Sequence, residues 1–399
     1  MRRRAQSRAL LLRLVRRKAW SRSGRVLVVS HEASRTGAPR VAVDLLTVLA
    51  PSYRTVVVQR WGGPLESELA AAAGRSIREP LSRVRAFLRS RRRTRRLARF
   101  VEQAAALGVL MVLRPRLVWL NTVLSACYVG PARWLGVPVI LHVHELEPLA
   151  STVLDRYGLR DRLGVQGVRV VACSSAVARH VTELCRLGPG QVTVVESVPR
   201  PGRITALADA GSTVGPDLGR TVVCCGTADR RKGIDVWLQV AATVLSDPAN
   251  DDVRFVWVGL SPEGGDGAMA LGLGDRVWFT GELANPYPVL AAATVFTLFA
   301  REDPFPLAVL EAMILGRPVV VSAAGGMPDQ VGDSGIVVPV EDVGAAAGAV
   351  AGLLADPEAR ARLGRAGVER ARTEFGIDRF AAAVTALVGV ADVPSGSPS

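Results

Sequence analysis

TVFTLFAREDPFPLAVLEAM, residues 294–313, passes from an apolar run through an acidic, proline-bearing loop into a helix. TVFTLFA reads as a strand ending near Ala300, so REDPFP is the loop at its carboxyl end. Pro306 suits a first helical turn, where its missing N–H costs nothing, and LAVLEAMILG carries that helix to a stop at Gly316. Asp303 sits in the loop, and Glu311 lies about a turn and a half into the helix. Both carboxylates can face one ligand lying across the helix N-terminus. The plainer alternative has Asp303 as a helix cap and Glu311 on the surface. It leaves Glu311 unexplained in so apolar a helix.

The same strand–loop–helix unit recurs along the chain. RVLVVS (25–30), TVVVQR (55–60), LVWLNT (117–122), PVILHVHE (138–145) and VRVVACSS (168–175) read as one set of strands. TVVCCG (221–226), VRFVWVG (253–259), RVWFTG (276–281), TVFTLFA (294–300), PVVVSA (318–323) and GIVVPV (335–340) read as a second. Such β-rich runs alternating with longer amphipathic stretches imply parallel sheets covered by helices. ADAGSTVGPDLG (208–219) lacks periodicity and separates the sets. The expected fold is α/β, with two doubly wound Rossmann-like domains facing across a cleft. They span 25–205 and 220–385 and are joined by a linker at 206–219. Residues 1–24 read as a basic amphipathic segment and 386–399 as a flexible tail. A chain of 399 residues, 49 % hydrophobic, can bury two cores of this size.

The net charge of +14 is unevenly spread. Residues 1–100 hold 25 Lys+Arg against 5 Asp+Glu; the remaining residues hold 25 against 31. MRRRAQSRALLLRLVRRKAW and VRAFLRSRRRTRRLARF carry most of the excess and mix arginines with Leu, Val, Phe or Trp. That pattern favours an anionic membrane surface over plain solvation. Nucleic acid is not expected as a partner, because stacking aromatics and a binding motif are missing. No apolar run reaches the 18 or so residues of a spanning helix, and the N-terminal stretch is a poor signal peptide. The five cysteines fit no zinc spacing and read as buried reduced thiols. The expected location is the cytoplasm, peripheral on the inner face of the cell membrane.

In parallel sheets of this kind ligands bind off the carboxyl ends of strands. In CCGTADRRKGIDVW, Arg230, Arg231 and Lys232 stand at a helix entrance, where free amides already favour an anion such as a diphosphate. The plain reading, three exposed charges, weighs equally until the arginine bias is noticed. Lys232 is the one lysine beyond residue 18, and an ammonium point charge is not interchangeable with a guanidinium fork. After TVFTLFA, the free amides of Leu307 and Ala308 would meet phosphates, and the carboxylates would take sugar and ribose hydroxyls. SAAGGMPDQV adds Gly325 and Gly326, which let backbone approach a ligand closely. The first domain offers His31 before Gly37 and Ala38, then His142 and His144 on the same side of a strand. Three histidines in neighbouring strand-end loops suggest a cleft site, although a lone histidine is more often structural.

These stretches together resemble the retaining glycosyltransferases of family 4, of the GT-B architecture. SHEASRTGAP, LHVHEL, CGTADRRKG and REDPFPLAVLEAM…SAAGGMPD carry the likeness in order, and GELANPYPVLAAATVFTLFA adds to it. The resemblance implies transfer of a sugar from a nucleoside-diphosphate sugar to an acceptor hydroxyl with retention of configuration, and the basic first domain points to cell-envelope or exported glycan synthesis. It implies Lys232 on the donor's phosphates, Glu311 on the ribose hydroxyls and Asp303 on the sugar. Backbone near Phe305 to Ala308 would hold the diphosphate, under the Gly37–Ala38 loop. It implies His144 toward sugar or acceptor, with His31 and His142 on the acceptor side. The acceptor would be a glycan or lipid-linked, and neither cofactor nor metal is expected. Two departures stand out: Asp303 where many relatives have glutamate, and Thr227 where many have a phosphate-binding arginine. The alternatives are a nucleotide-sugar epimerase of the same fold and a non-enzymatic membrane- or polyanion-binding module.

Overall fold

The computed structural model describes residues 24–390 apart from 80–81, 91, 165–166, 212–218, 262–266 and 270. Residues 1–23 of the basic segment, 212–218 of the linker and 391–399 of the tail lie outside those residues.

Thirteen strands form two wholly parallel sheets among the described residues. The first contains β1 (Arg25–Ser30), β2 (Arg54–Gln59), β3 (Arg75–Arg78), β4 (Leu117–Leu120), β5 (Val139–Val143), β6 (Val168–Ala172) and β7 (Val192–Val194). Its order is β3-β2-β1-β4-β5-β6-β7. The second contains β8 (Arg220–Cys225), β9 (Val253–Val258), β10 (Val277–Phe279), β11 (Val295–Leu298), β12 (Val319–Ser322) and β13 (Ile336–Val338). Its order is β10-β9-β8-β11-β12-β13. The order reverses between β1 and β4 and again between β8 and β11. Loops leaving such neighbouring strands diverge to opposite faces and open a crevice at the carboxyl edge. Arg230–Lys232 follows β8 and Asp303 follows β11, so strand order alone brings those two loops together.

The central strands are apolar along their length because helices cover both faces; every residue of β4, β5, β11 and β12 is buried. In the second sheet Trp237, on the Ile234–Leu245 helix, packs edge-on against Phe255 and Trp257 at 5.3 and 5.2 Å between ring centres. Each indole also finds an acceptor, as buried tryptophans do. Trp237 Nε1 donates to Thr297 Oγ1 at 3.0 Å, and Trp257 Nε1 to the Gly226 carbonyl at 2.8 Å.

The chain divides into two compact units, though not at the expected linker. The first holds the described residues to Cys173, Val177–Val195 and those from Ala381 on; the second holds Ser174–Ala176 and Glu196–Phe380. Pro201–Ala210 is a helix with proline in its first turn. Asn285 Nδ2 donates to Leu207 carbonyl at 2.8 Å, tying that helix into the second unit. The helix Ile377–Val390 leads back to the first unit, where Arg169 donates to the Leu387 carbonyl at 3.0 Å. Packing decides the division, and composition does not encode it. β3 and β7, at the sheet edges, escaped the sequence reading because they are short and weakly apolar.

Candidate functional site

In the second unit, β8 delivers the chain to Gly226 at φ +145°, a conformation side chains rarely adopt. The Gly226 amide donates to the Val258 carbonyl at 2.9 Å, and its carbonyl accepts from Trp257, so the turn is fixed from the core. Asp229 Oδ1 accepts from the Lys232 amide at 2.8 Å and curls the loop. Lys232 then lies back over Gly226: a Cβ there would sit 3.6 Å from Lys232 Cε. Its Nζ pairs with Asp303 Oδ2. The two side chains are 14 % and 7 % exposed, so this ion pair is largely withdrawn from water but open along one side.

The Asp303 loop is built from three directions. Arg301 makes the strongest of these contacts, with Nη1 and Nη2 each 2.7 Å from the Asp235 carboxylate. Its Nε reaches Glu341 at 2.5 Å, and Nη1 also donates to the Arg230 carbonyl at 2.6 Å. The Arg301 amide donates to Arg231 carbonyl at 2.9 Å, and Arg231 Nη1 returns a bond to Glu302 carbonyl at 3.1 Å. Arg301 holds the Asp235 carboxyl below the usual range. Behind the loop, Gly325 (φ +57°) presses so close that a Cβ would stand 1.8 Å from the Asp303 carbonyl oxygen. The Gly326 amide donates to that oxygen at 3.0 Å. The paired glycines therefore admit the Asp303–Pro304 backbone to close contact.

The helix Leu307–Ile314 starts beside this pair. Pro306 is extended (φ −70°, ψ 114°) and forms the N-cap, one position earlier than the first-turn place expected for it. No side chain caps the helix and its first turn holds no acid, so its terminal amides present partial positive charge outward. Gln330 Nε2 donates to Pro306 carbonyl at 3.0 Å and pins the entry. Glu311 is buried at 5 % exposure and accepts from Tyr287 Oη at 3.1 Å, which rules out a surface role. The Phe305 ring packs against Phe375 at 5.6 Å, leaving its backbone for any ligand.

Of the three loop cations, only Lys232 is paired to Asp303. Arg231 is spent on the Glu302 carbonyl, and Arg230 stands exposed. Arg301→Ala is expected to uncouple the two loops and cost about 1–3 kcal/mol, the range for hydrogen bonds to charged groups at a partly exposed site. A melting temperature equal to that of the unaltered protein would show that the clasp carries no weight.

In the first unit the corresponding edge carries His31, after β1, and His144, after β5. His31 Nε2 lies 3.3 Å from Glu32 Oε1, which also accepts from Ser34 Oγ at 2.7 Å. His31 foremost, then Ser34 and Thr36, hold the Glu32 carboxyl down at about 2 against the opposing effect of burial. Asn121 Nδ2 donates to the Ala38 carbonyl at 2.6 Å and fixes the start of the Gly37–Leu49 helix to the end of β4. That start also has no acid and no side-chain cap. Glu145 Oε2 accepts from the amides of His144 (2.9 Å) and Val123 (3.2 Å).

His142 and His144 lie on one side of β5, ring centres 4.1 Å apart, as strand alternation requires. Only His144 reaches the edge. His142 is 0 % exposed and packs edge-on against Trp119 at 5.9 Å, so the expected direct acceptor contact is corrected to a core position behind His144. Burial lowers the His142 pKa to about 3, from 6.5. Burial, then His142 and His31, likewise push His144 well below its usual value. Because the folded pKa is depressed, the unfolded chain takes up the proton first. The penalty is absent above pH 6.5 and grows toward pH 3 by about 1.4 kcal/mol per pH unit. His142→Phe is expected to make the fall of melting temperature between pH 6.5 and 4 shallower; an unchanged slope would contradict a buried neutral His142.

Sequence reasoning did not find Glu32, Asn121, Glu145, Tyr287, Arg301 or Gln330. Each acts on backbone or on another side chain, and only the positions of Glu32 and Glu145 beside histidines hinted at them.

Two family descriptions match the chain in succession: Glycosyltransferase Family 4 over residues 35–197 and Glycosyl transferases group 1 over residues 219–356. A D-inositol 3-phosphate glycosyltransferase of Segniliparus rotundus is 31 % identical over 263 residues, 59 % of this chain and 58 % of that protein. One from Thermomonospora curvata is 30 % identical over 280 residues, 62 % and 64 % of the respective chains. The match thus spans less than two thirds of those relatives' lengths. Among solved structures, sucrose-phosphate synthase of Thermosynechococcus elongatus superposes with TM-score 0.74 at 22 % identity, covering 92 % of this chain and 99 % of that one. Anabaena Alr3699/HepE, solved with UDP and glucose, gives 0.73 at 17 %, covering 92 % and 100 %. With both sheets parallel and doubly wound, and a family match on each, the chain belongs to the family 4 glycosyltransferases and has the GT-B fold.

Proposed function

We propose that this chain transfers a glycosyl group from a nucleoside-diphosphate sugar to an acceptor hydroxyl with retention of anomeric configuration. The observation that carries the reading is the Lys232–Asp303 pair, set at the β8/β11 switch point beside an uncapped helix start, with Glu311 buried one turn in. A diphosphate fits there. The Leu307 and Ala308 amides and Lys232 Nζ take its oxygens, releasing Asp303 to accept a sugar hydroxyl and Glu311 a ribose hydroxyl.

Charge develops on the departing diphosphate as the C1–O bond breaks. Donors already fixed by Trp257, Gln330 and Arg301 stabilise that charge without reorganising. The acceptor oxygen bonds to C1 on the same face, and its proton passes to the departing phosphate oxygen. His31 and His144, at the strand ends of the first unit, are the acceptor-side groups of this reading. A neutral His144 can donate or accept one hydrogen bond to a hydroxyl.

The acceptor is a glycan or a lipid-linked or phosphorylated polyol, with the enzyme working at an anionic membrane surface in the synthesis of envelope or exported glycans. The name of those relatives, D-inositol 3-phosphate glycosyltransferase, makes an inositol phosphate the first acceptor to try. The test is proton NMR of the product formed from each nucleotide sugar with that acceptor. Retained α-configuration at C1 is the expected outcome with an α-linked donor. Inverted product, or epimerised donor with no acceptor present, would overturn the reading.

A further inference from the structure

The helices Ser82–Ser90 and Arg95–Leu113 pack together, and the second also packs against Val123–Tyr128 and Val129–Trp134 in the first unit. Beneath them lies a buried ionic cluster that the proposed chemistry does not use. Arg60, 4 % exposed, donates from Nε to Glu79 Oε2 at 2.9 Å and from Nη1 to Leu124 carbonyl at 2.6 Å. Glu79 also accepts from Tyr128 Oη at 2.8 Å. Glu102, 1 % exposed on the second helix, accepts from Tyr157 and pairs with Arg89 of the first helix at 2.9 Å. Arg99 Nη1 donates to Arg156 carbonyl at 2.9 Å. Buried charges of this kind are costly to break apart, so both helices are anchored to the sheet.

What the anchored pair shows to solvent is unusual for a soluble surface. Val84 (47 % exposed) and Phe87 (57 %) lie one turn apart on the first helix; Leu97 (51 %) and Phe100 (69 %) lie one turn apart on the second. Arg93, Arg95 and Arg96 are exposed among them. Residues 80–101 contain nine arginines and no acid. Apolar side chains that stand out of a cationic surface match the boundary between anionic headgroups and acyl chains, where the two kinds of contact add.

We infer that this helical pair is a fixed membrane-docking surface, taking anionic phospholipid headgroups on its arginines and seating Leu97 and Phe100 in the interface. The inference rests on the proposed work at a membrane and says which surface performs it. Aliphatic Val84 and Leu97 have no use in base stacking, which favours lipid over nucleic acid.

The experiment is sedimentation of the full chain with phosphatidylcholine vesicles, with and without phosphatidylglycerol. It needs neither nucleotide nor sugar, so its outcome is separate from that of the transfer reaction. Binding to the anionic vesicles alone is expected. The triple substitution Arg93→Gln, Arg95→Gln, Arg96→Gln should weaken it about a hundredfold, at about fivefold per arginine. Leu97→Ser with Phe100→Ser should weaken what survives at high salt, and all five positions are exposed, so unchanged melting curves confirm folding. Partition unaltered by both sets would overturn the inference, as would displacement of the protein from vesicles by a short RNA that binds regardless of Leu97 and Phe100.

Discussion

Lys232→Ala is expected to lower sugar transfer at least about 100-fold, the usual cost of removing one preorganised donor from a developing negative charge. The loop exists in this form for the sake of that ammonium. Gly226 at φ +145° makes the turn beneath it, Trp257 and Val258 fix the glycine, and Asp303 pairs with the ammonium. Lys232→Arg should recover only part of the rate, since a planar fork cannot occupy the space of a point charge over Gly226. Asp303→Asn should also be slow, by losing the carboxylate proposed to take the sugar hydroxyl. Initial rates at saturating donor, with melting curves for each variant, make the comparison. Lys232→Ala turning over normally would remove the phosphate role from this loop.

Gly325→Val is expected to be among the most damaging single changes in the chain. At φ +57° a β-branched residue is strained by about 1–2 kcal/mol. The larger effect is steric: a Cβ would fall 1.8 Å from the Asp303 carbonyl oxygen, which is backbone and cannot swing aside. The Asp303–Pro304 turn must move, and the Lys232 pair and the Gly326 amide bond move with it. A loss of about 3 kcal/mol follows from overpacking and strain together, a fall of roughly 6–12 °C for a unit of this size. Activity should be lost with it. Gly348→Ala serves as the control: it lies in the Val343–Ala355 helix with nothing within 4 Å of the added Cβ, and should stabilise by up to about 1 kcal/mol. A Gly325→Val protein melting at the normal temperature would refute the packing argument.

Much of this was legible in the sequence because the physics involved is local. Valine-rich runs spaced by amphipathic stretches can only be parallel strands with crossover helices, and each of the eleven expected strands is present within a few residues. The loops that carry Lys232 and Asp303 were legible for the same reason: each follows the end of an apolar strand, and the structure pairs the two side chains. What was hidden depends on contacts across long stretches of chain. Arg301 looked like one arginine among many until its carboxylate partners, 66 and 40 positions away, were in view. His142 and His144 are indistinguishable by alternation, and only the depth of the strand in the sheet separates a core histidine from an edge one. The division of the chain was misplaced because the Pro201–Ala210 helix is held by Asn285, a distant residue. The glycines at 325 and 326 read in the sequence as making room, and one neighbour that needs this room is the Asp303–Pro304 backbone, a contact that composition does not encode.

The measurement that bears most directly on the donor site is a thermal-shift panel of the purified protein with UDP, GDP, dTDP, ADP and CMP, repeated on Lys232→Ala. A ligand that binds only the folded state raises the melting temperature, by an amount set by its concentration over its dissociation constant. One clear stabiliser is expected for the unaltered protein, with a smaller or absent shift for Lys232→Ala. No shift with any nucleotide, or an equal shift in both proteins, would contradict it.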